Sequence, residues 1–316
     1  MRTYAQTDRE YSLEAARLAD RANADLFLYT SYAWEAFNRK SHHTPRKVMF
    51  QYHPHLHCIE RVLSADLRHY PYLRASFAKD TLADLPDGLK VRERDAWRHA
   101  DSVLCASSFT LRSLIEAGID ARRCRVVPYG ISALDRPPGP PPESFAVLFV
   151  GTGCQRKGLH HLLQAWSNAS LPKASKLTLV CRSIEPELEC RAHECKGVTL
   201  LRHASVAVLD RLFEQSTLFA MPSLIEGFGQ VYLEALVRGC PVLGTPNTGL
   251  PDIGAEPDGV FCCTPGNIEE LTANLESLSV LLPGNSDIRH SARNCAARFS
   301  WAGFRRGIIQ SVNSLG

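Results

Sequence analysis

Two α/β domains, each built on a parallel sheet covered by helices, are predicted by three observations in this chain of 316 residues. Short apolar runs alternate with helical patterns along the whole length, the order that favours parallel strands joined by helical crossovers. The octet Arg-Pro-Pro-Gly-Pro-Pro-Pro-Glu at 136–143 interrupts that alternation, and a stretch so rich in Pro and Gly suits neither a helix interior nor a central strand. Beyond it a clean apolar strand at 145–150 runs through Gly151, Gly153 and Gly158 into a helix, the opening of a Rossmann-type domain.

These observations place a first domain at 1–135, a Pro-rich linker at 136–144, a second domain at 145–298 and a terminal helical segment at 299–316. In the first domain, helical patterns at 11–22, 60–77, 89–99 and 108–117 alternate with strand runs at 25–29, 47–51, 102–106 and 125–128, and Gly118 closes the last helix. The second domain shows strand runs at 145–150, 177–180, 198–200, 218–221, 241–244 and 259–261. Its helical patterns fall at 159–166, 207–214, 229–237 and 268–278. A final helix at 302–312 follows a break at Phe299-Ser300-Trp301 and is expected to fold back across the domain junction.

Composition narrows the function classes. A formal charge of +3 is too small for a nucleic-acid-binding surface, though cations can still gather at one phosphate site. The first 30 residues contain no continuous apolar stretch, so neither a signal peptide nor a membrane span is expected, and the reading places the protein in the cytoplasm. The 11 cysteines are odd in number and scattered, several within apolar runs, so no disulfide framework is expected.

Chemistry concentrates at Met221-Pro-Ser-Leu-Ile-Glu-Gly-Phe-Gly-Gln230 and the helix that follows. A buried strand ends near Pro222, a turn carries Glu226, and a helix from about Gly229 carries Glu234. Backbone N–H groups of Gly227, Phe228, Gly229 and Gln230 would then face the carboxyl edge of a parallel sheet, where phosphate or sugar oxygens bind. Glu226 is placed to accept from sugar hydroxyls and Glu234 from a ribose diol. Gly151 and Thr152 open the other strand-to-helix turn, where Arg156 could grip a diphosphate in a fork and Lys157 adds a flexible point charge. Thr245, in the polar loop after the strand at 241–244, is a candidate for contact with sugar or base, or a plain connecting residue. Asp252 reads as a turn cap, and Ser107 and Ser108 as helix caps, with a contact to the diphosphate across the cleft as the alternative.

His53, His55 and His57 alternate after the strand at 47–51. A zinc site with Cys58 is disfavoured by Pro54 and by the lack of a closely spaced Cys/His set elsewhere. The competing readings are that His53 or His55 lines the cleft, or that both only pack. No metal is expected at the site.

The chain resembles the retaining glycosyltransferases of family 4, the glycosyl transferases group 1, which have the GT-B fold. The resemblance rests on Glu226 and Glu234, separated by seven residues, within Pro-Ser-Leu-Ile-Glu-Gly-Phe-Gly. Further carriers are Arg156-Lys-Gly158, Ala-Ser-Ser-Phe-Thr at 106–110, Val-Val-Pro-Tyr-Gly at 126–130 and Ser300-Trp301. It implies two Rossmann-like domains facing one cleft, a UDP- or GDP-sugar donor, and a saccharide or lipid-linked acceptor. It also implies that Glu234 binds the donor ribose, Glu226 the transferred sugar, and Lys157 with Arg156 the diphosphate, without a divalent metal. Members often carry Arg where this chain has Thr152, which shifts phosphate binding toward Arg156. Measured against the family, the first, acceptor-side domain reads as N-terminally incomplete. Alternatives are a donor-binding remnant without activity, a nucleotide-sugar epimerase, or a two-carboxylate glycoside hydrolase. The basic, aromatic stretch at 61–79 suggests either peripheral contact with the inner membrane face or a solvated helix. The oligomeric state is not legible.

Overall fold

The computed structural model describes residues 4–134 and 139–314; of the expected boundaries, the positions 1–3, 135–138 and 315–316, including Arg136, Pro137 and Pro138 of the linker, lie outside the described residues. Two regions of alternating strands and helices, each with a parallel sheet, face one another. The first contains α1 (Tyr4–Ala22), β1 (Leu26–Tyr29), α2 (Thr30–Asn38), β2 (Lys47–Gln51), α3 (Leu56–Leu67), α4 (Arg74–Thr81), α5 (Asp87–Asp95), β3 (Ser102–Cys105), α6 (Ser108–Glu116) and β4 (Cys124–Val126). The second begins with β5 (Ala146–Val150), α7 (Leu159–Asn168), β6 (Lys176–Val180), α8 (Pro186–Glu194), β7 (Val198–Leu201) and α9 (Val206–Glu214). It continues with β8 (Leu218–Ala220), α10 (Gln230–Leu236), β9 (Val242–Gly244), α11 (Leu250–Ile253), β10 (Val260–Cys262), α12 (Ile268–Leu281), α13 (Ser286–Ala297) and α14 (Trp301–Asn313).

The first sheet runs β1-β2-β3-β4 and the second β10-β9-β8-β5-β6-β7, with every pairing parallel. The second order is that of a doubly wound nucleotide-binding fold. Its strand order reverses between β5 and β8, in register Val147 opposite Leu218, and ligands of such sheets bind outside the strand carboxyl ends at that reversal. The apolar runs Val48-Met49-Phe50 and Val147-Leu148-Phe149 are buried throughout, as expected of parallel strands covered on both faces.

One expected helix is corrected. The pattern at 60–77 is two helices, α3 and α4, divided by a 3₁₀ turn at Pro71–Leu73. Proline has no N–H to donate and its ring disfavours a helical Tyr70. Part of this stretch packs inward: Leu73 and Phe77 are buried, and the ring of the half-buried Tyr70 meets that of His160 at 4.7 Å. Among the described residues no helix is long and apolar enough to cross a membrane. All 11 cysteines are free.

Apolar packing is continuous across the junction. Phe50 of β2 lies 5.7 Å from the Tyr129 ring and 5.9 Å from Phe304 of α14, and Tyr129 meets Phe228 at 5.5 Å. Helix α14 thereby reaches the first sheet, where Arg46 also donates to the Val312 carbonyl at 3.3 Å. A second patch joins Ile59, Leu63 and Phe77 to Leu224 and Ile225 of the loop after β8.

Candidate active site

The loops leaving β5 and β8 meet at the point where the strand order reverses, and backbone bonds stitch them together. The Leu224 N–H donates to the Arg156 carbonyl at 2.9 Å, and the Glu226 N–H to the Asn247 carbonyl at 2.9 Å. The Asn247 amide returns a bond to the Leu224 carbonyl at 2.9 Å, so the segment bearing Glu226 is held from both sides. Tyr232, fully buried, anchors the strand end by donating its hydroxyl to the Met221 carbonyl at 2.6 Å.

Glu226 is the electrostatic centre. One of its oxygens accepts from Arg156 Nη1 at 2.6 Å and also from the Lys157 ammonium, while Arg156 Nε reaches Asp80 of α4 at 3.3 Å. The Glu226 side chain is 17% exposed, the Arg156 side chain 26% and the Lys157 side chain 14%. Burial alone would raise the Glu226 carboxyl, but Lys157 and Arg156 overcome it and hold the group down at about 2. Arg156 is held above its ordinary range: burial opposes its charge, and Glu226 and Asp80 more than offset that. The carboxylate is therefore a fixed anion at neutral pH, suited to accept from hydroxyls and unsuited to donate a proton.

Arg156, Glu226, Gly227 and His53 line one cavity of about 590 Å³. Its wall from the first region carries Leu56, Ile59, Leu82, Leu85 and Leu89 alongside the charged Lys79, Asp80, Arg92 and Glu93. Burial, and then the nearby Arg156 charge, push His53 down to about 4, so its ring is neutral near pH 7. His55 does not line this cavity. It is 2% exposed, caps α3 and lies 2.9 Å from the Arg94 carbonyl through Nε2.

The remaining expected residues fall around this centre. Gly151 ends β5 with its N–H on the Val180 carbonyl at 3.0 Å, and Thr152 is exposed beside it. Gly229 caps α10 in a left-handed conformation, and the Gln230 amide approaches the Gly130 carbonyl at 3.5 Å. Glu234 is half-buried on α10; its backbone carbonyl accepts from Arg238 Nη1 at 2.6 Å, and its carboxylate makes no hydrogen bond or ion pair among the described residues. Burial raises its carboxyl, against a lowering influence of Arg238.

Two of the expected residues have buried side chains. Phe228 is 2% exposed and packs on Tyr129, and Thr245 is fully buried with its hydroxyl donated to the Ser223 carbonyl at 2.6 Å. Burial suits the apolar Phe228 ring, and the bond to the Ser223 carbonyl compensates burial of the Thr245 hydroxyl. Thr245→Val, which leaves that carbonyl without its donor, is expected to lower unfolding free energy by about 1–3 kcal/mol in a urea titration.

Contacts across the cleft were not legible in sequence. Ser107 caps α6 and also donates to the Gly227 carbonyl, which accepts from the Thr110 hydroxyl at 3.1 Å as well. Asp252 accepts from the Ser108 N–H at 2.8 Å and from the Ser108 hydroxyl, so the carboxylate expected to cap its own turn caps a helix of the facing region. His53, His55 and His57, for which no metal role was expected, do not form a close three-donor set. Among the described residues the close three-donor set is Asp66, His160 and His161.

Residues 144–279 match the family model for glycosyl transferases group 1. The chain is 25% identical over 225 residues to an MMP alpha-(1->4)-mannosyltransferase of Mycolicibacterium hassiacum, covering 67% of this chain and 54% of that protein. It is 25% identical over 142 residues to the capsular polysaccharide biosynthesis glycosyltransferase CapM of Staphylococcus aureus, covering 43% of this chain and 37% of that one. The chain thus spans about half the length, or less, of these curated relatives. Its fold superposes on the lipopolysaccharide outer core galactosyltransferase WaaB with a TM-score of 0.70 at 17% identity, covering 96% of this chain and 79% of that structure. HepE of Anabaena, solved with UDP and glucose, gives a TM-score of 0.66 at 17% identity, covering 96% of this chain and 81% of that one. Residues 144–279 therefore resemble the glycosyl transferases group 1, within a chain that has the GT-B fold.

Proposed function

We propose that the protein is a retaining glycosyltransferase that moves a sugar from a nucleotide-diphosphate donor, of the UDP- or GDP-sugar class, to a hydroxyl acceptor. The observation that carries this reading is the Arg156–Glu226–Lys157 cluster at the point where the second sheet reverses its strand order, opening on the cavity. Two cations stand where a diphosphate would lie, and a permanently ionised carboxylate stands where sugar hydroxyls would be read. Glu234 is assigned the ribose diol, and the backbone at Gly151, Thr152, Gly227, Gly229 and Gln230 is assigned the approach to the donor.

In the proposed reaction the bond from the anomeric carbon to the phosphate oxygen breaks, and its electron pair stays on the diphosphate. The acceptor oxygen bonds to the same face of the anomeric carbon, and its proton passes to the departing phosphate oxygen. Negative charge grows on that oxygen as the bond lengthens, so Arg156 and Lys157 hold the transition state more tightly than the bound donor. These two side chains supply the charge neutralisation, and no step is assigned to a metal. Glu226, held as an anion, positions the sugar rather than attacking it.

The acceptor is assigned to the first region. Its leucine-rich wall favours an acceptor with an apolar portion beside its hydroxyls, such as a lipid-linked saccharide. Cytoplasmic action, with peripheral contact at a membrane carrying such an acceptor, belongs to the same proposal, and 11 free cysteines suit a reducing compartment. The test is binding and transfer with a panel of UDP- and GDP-sugars for the wild type, Glu226→Gln and Glu234→Gln. Glu234→Gln is expected to weaken donor binding, and Glu226→Gln to reduce transfer more than binding. Unchanged affinity and transfer in both variants would remove the proposal.

A further inference from the structure

Helix α3 of the first region and α7 of the second meet at a buried cluster. The side chains of Asp66, His160 and His161 are 8%, 0% and 3% exposed. His161 Nε2 lies 3.0 Å from Asp66 Oδ1, and His160 Nε2 lies 3.2 Å from each Asp66 oxygen. The three donor atoms fall within 4.8 Å of one another. A tetrahedral zinc ion with bonds of about 2.0–2.2 Å sets its ligand atoms about 3.3 Å apart, so little rearrangement separates this cluster from a coordination sphere.

The electrostatics favour a cation. The described partners of the Asp66 carboxylate are two imidazoles and the Gln155 amide, which donates at 2.8 Å; among the described residues no lysine or arginine pairs with it. The carboxylate is an anionic donor held between two imidazoles. Three further atoms are buried here without a hydrogen-bond partner: Nδ1 of His160, Nδ1 of His161 and Oε1 of Gln155. In the metal-free chain each Nε2–H donates to the Asp66 carboxylate; binding a metal would move that proton to the unpartnered Nδ1 and free the Nε2 lone pair. The Gln155 oxygen, on the amide already touching Asp66, adds a potential oxygen donor beside the three.

We propose that Asp66, His160 and His161 form a binding site for one late first-row divalent cation, of the Zn²⁺ class, that clamps the two regions together. Two imidazoles and one carboxylate suit such an ion better than Mg²⁺ or Ca²⁺, which take oxygen ligands. Because α7 begins directly after Arg156, Lys157 and Gly158, the clamp ties α3 to the element that follows the diphosphate loop.

The test is titration of Co²⁺ into the chelator-stripped, desalted full chain. One equivalent is expected to bind with the visible absorption of a four- or five-coordinate ion and to be displaced by Zn²⁺, and Zn²⁺ is expected to raise the melting temperature. Asp66→Asn and His161→Ala, checked for folding by near-ultraviolet circular dichroism, are each expected to weaken Co²⁺ binding by at least about 100-fold, beyond the loss seen for outer-shell changes. In the wild type, Zn²⁺ is expected to shift the imidazole ¹⁵N resonances of His160 and His161, a readout that needs no variant. Absence of the cobalt spectrum, imidazole resonances unmoved by Zn²⁺, or folded variants that bind Co²⁺ as tightly as the wild type would each overturn the proposal. None of these readouts depends on glycosyl transfer, so failure here and failure of the proposed function are separable.

Discussion

Replacing Lys157 with alanine is expected to lower the rate of sugar transfer by about 100- to 1,000-fold, the loss typical when one preorganised charge-stabilising donor is removed from an active site. The ammonium bonds the Glu226 oxygen that Arg156 also holds, so one carboxylate oxygen is shared by two cations. A bound diphosphate, with more negative charge than a carboxylate, competes for both. Loss of Lys157 leaves Arg156 to serve two anions at once, and the deficit is largest when the leaving phosphate gains charge. The fall is therefore expected mainly in kcat, with a smaller rise in KM for the donor. The same substitution has a pH signature. Glu226 is depressed to about 2, below an unfolded carboxyl near 4.3, so the stability it contributes is present above about pH 4 and is lost as pH falls toward 2. Without Lys157 the folded value rises, and the acid limb of both stability and transfer is expected to move to higher pH. Acid unfolding curves and the pH dependence of kcat, measured on wild type and variant, check both parts. A variant with unaltered kcat and an unmoved acid limb would show that Lys157 neither stabilises the leaving phosphate nor holds Glu226 down.

What was legible in the sequence follows the range of the interactions involved. Strand β2 was read at its observed bounds because Val48-Met49-Phe50 is an unbroken apolar run between polar residues, a purely local signal. The Glu226 turn was legible because Pro222, Gly227 and Gly229 punctuate it. Helix α2 was missed since it starts directly at the end of β1 with no side-chain cap, and Thr30-Ser-Tyr-Ala-Trp carries no breaker to announce a change of period. Helix α13 was missed because its sequence is polar, although Asn285 accepting from the Ile288 N–H is a cap that could have flagged it. The pairing of Ser108 with Asp252 spans 144 residues, and no spacing rule connects such positions. The histidines at 160 and 161 read as part of an ordinary helix, because their partner Asp66 arrives from the other region and only the folded chain brings the three together. The reading of Arg156 and Lys157 as a diphosphate grip missed that both also hold Glu226, since charge pairing between two loops is set by where those loops end, not by either one's composition.

The second large effect expected is from Gly158→Ala, which should destabilise the protein by about 2–4 kcal/mol and reduce transfer about 100-fold. Gly158 has φ +68°, a left-handed conformation costing an L-residue about 1–2 kcal/mol. A Cβ there would stand 2.0 Å from the Pro222 carbonyl oxygen. That oxygen is backbone at the end of β8, so no side-chain rotation relieves the contact and the two loops must part. Parting them stretches the bond from Leu224 N–H to the Arg156 carbonyl, worth about 1 kcal/mol, and draws Glu226 away from Arg156 and Lys157. A displacement of about 1 Å at reacting groups is enough for a 100-fold loss of rate. Gly227→Ala supplies the contrast. Its Cβ would stand 2.0 Å from the Tyr52 carbonyl oxygen, which belongs to the first region, so relief there opens the cleft and leaves the loops of the second region together. Urea unfolding and transfer assays on both variants separate the cases: Gly158→Ala should lose stability and rate together, whereas Gly227→Ala should break the Ser107 and Thr110 bonds to the Gly227 carbonyl and raise KM for the acceptor more than for the donor. Equal stability of wild type and Gly158→Ala would mean that the loops after β5 and β8 are not packed against one another as described.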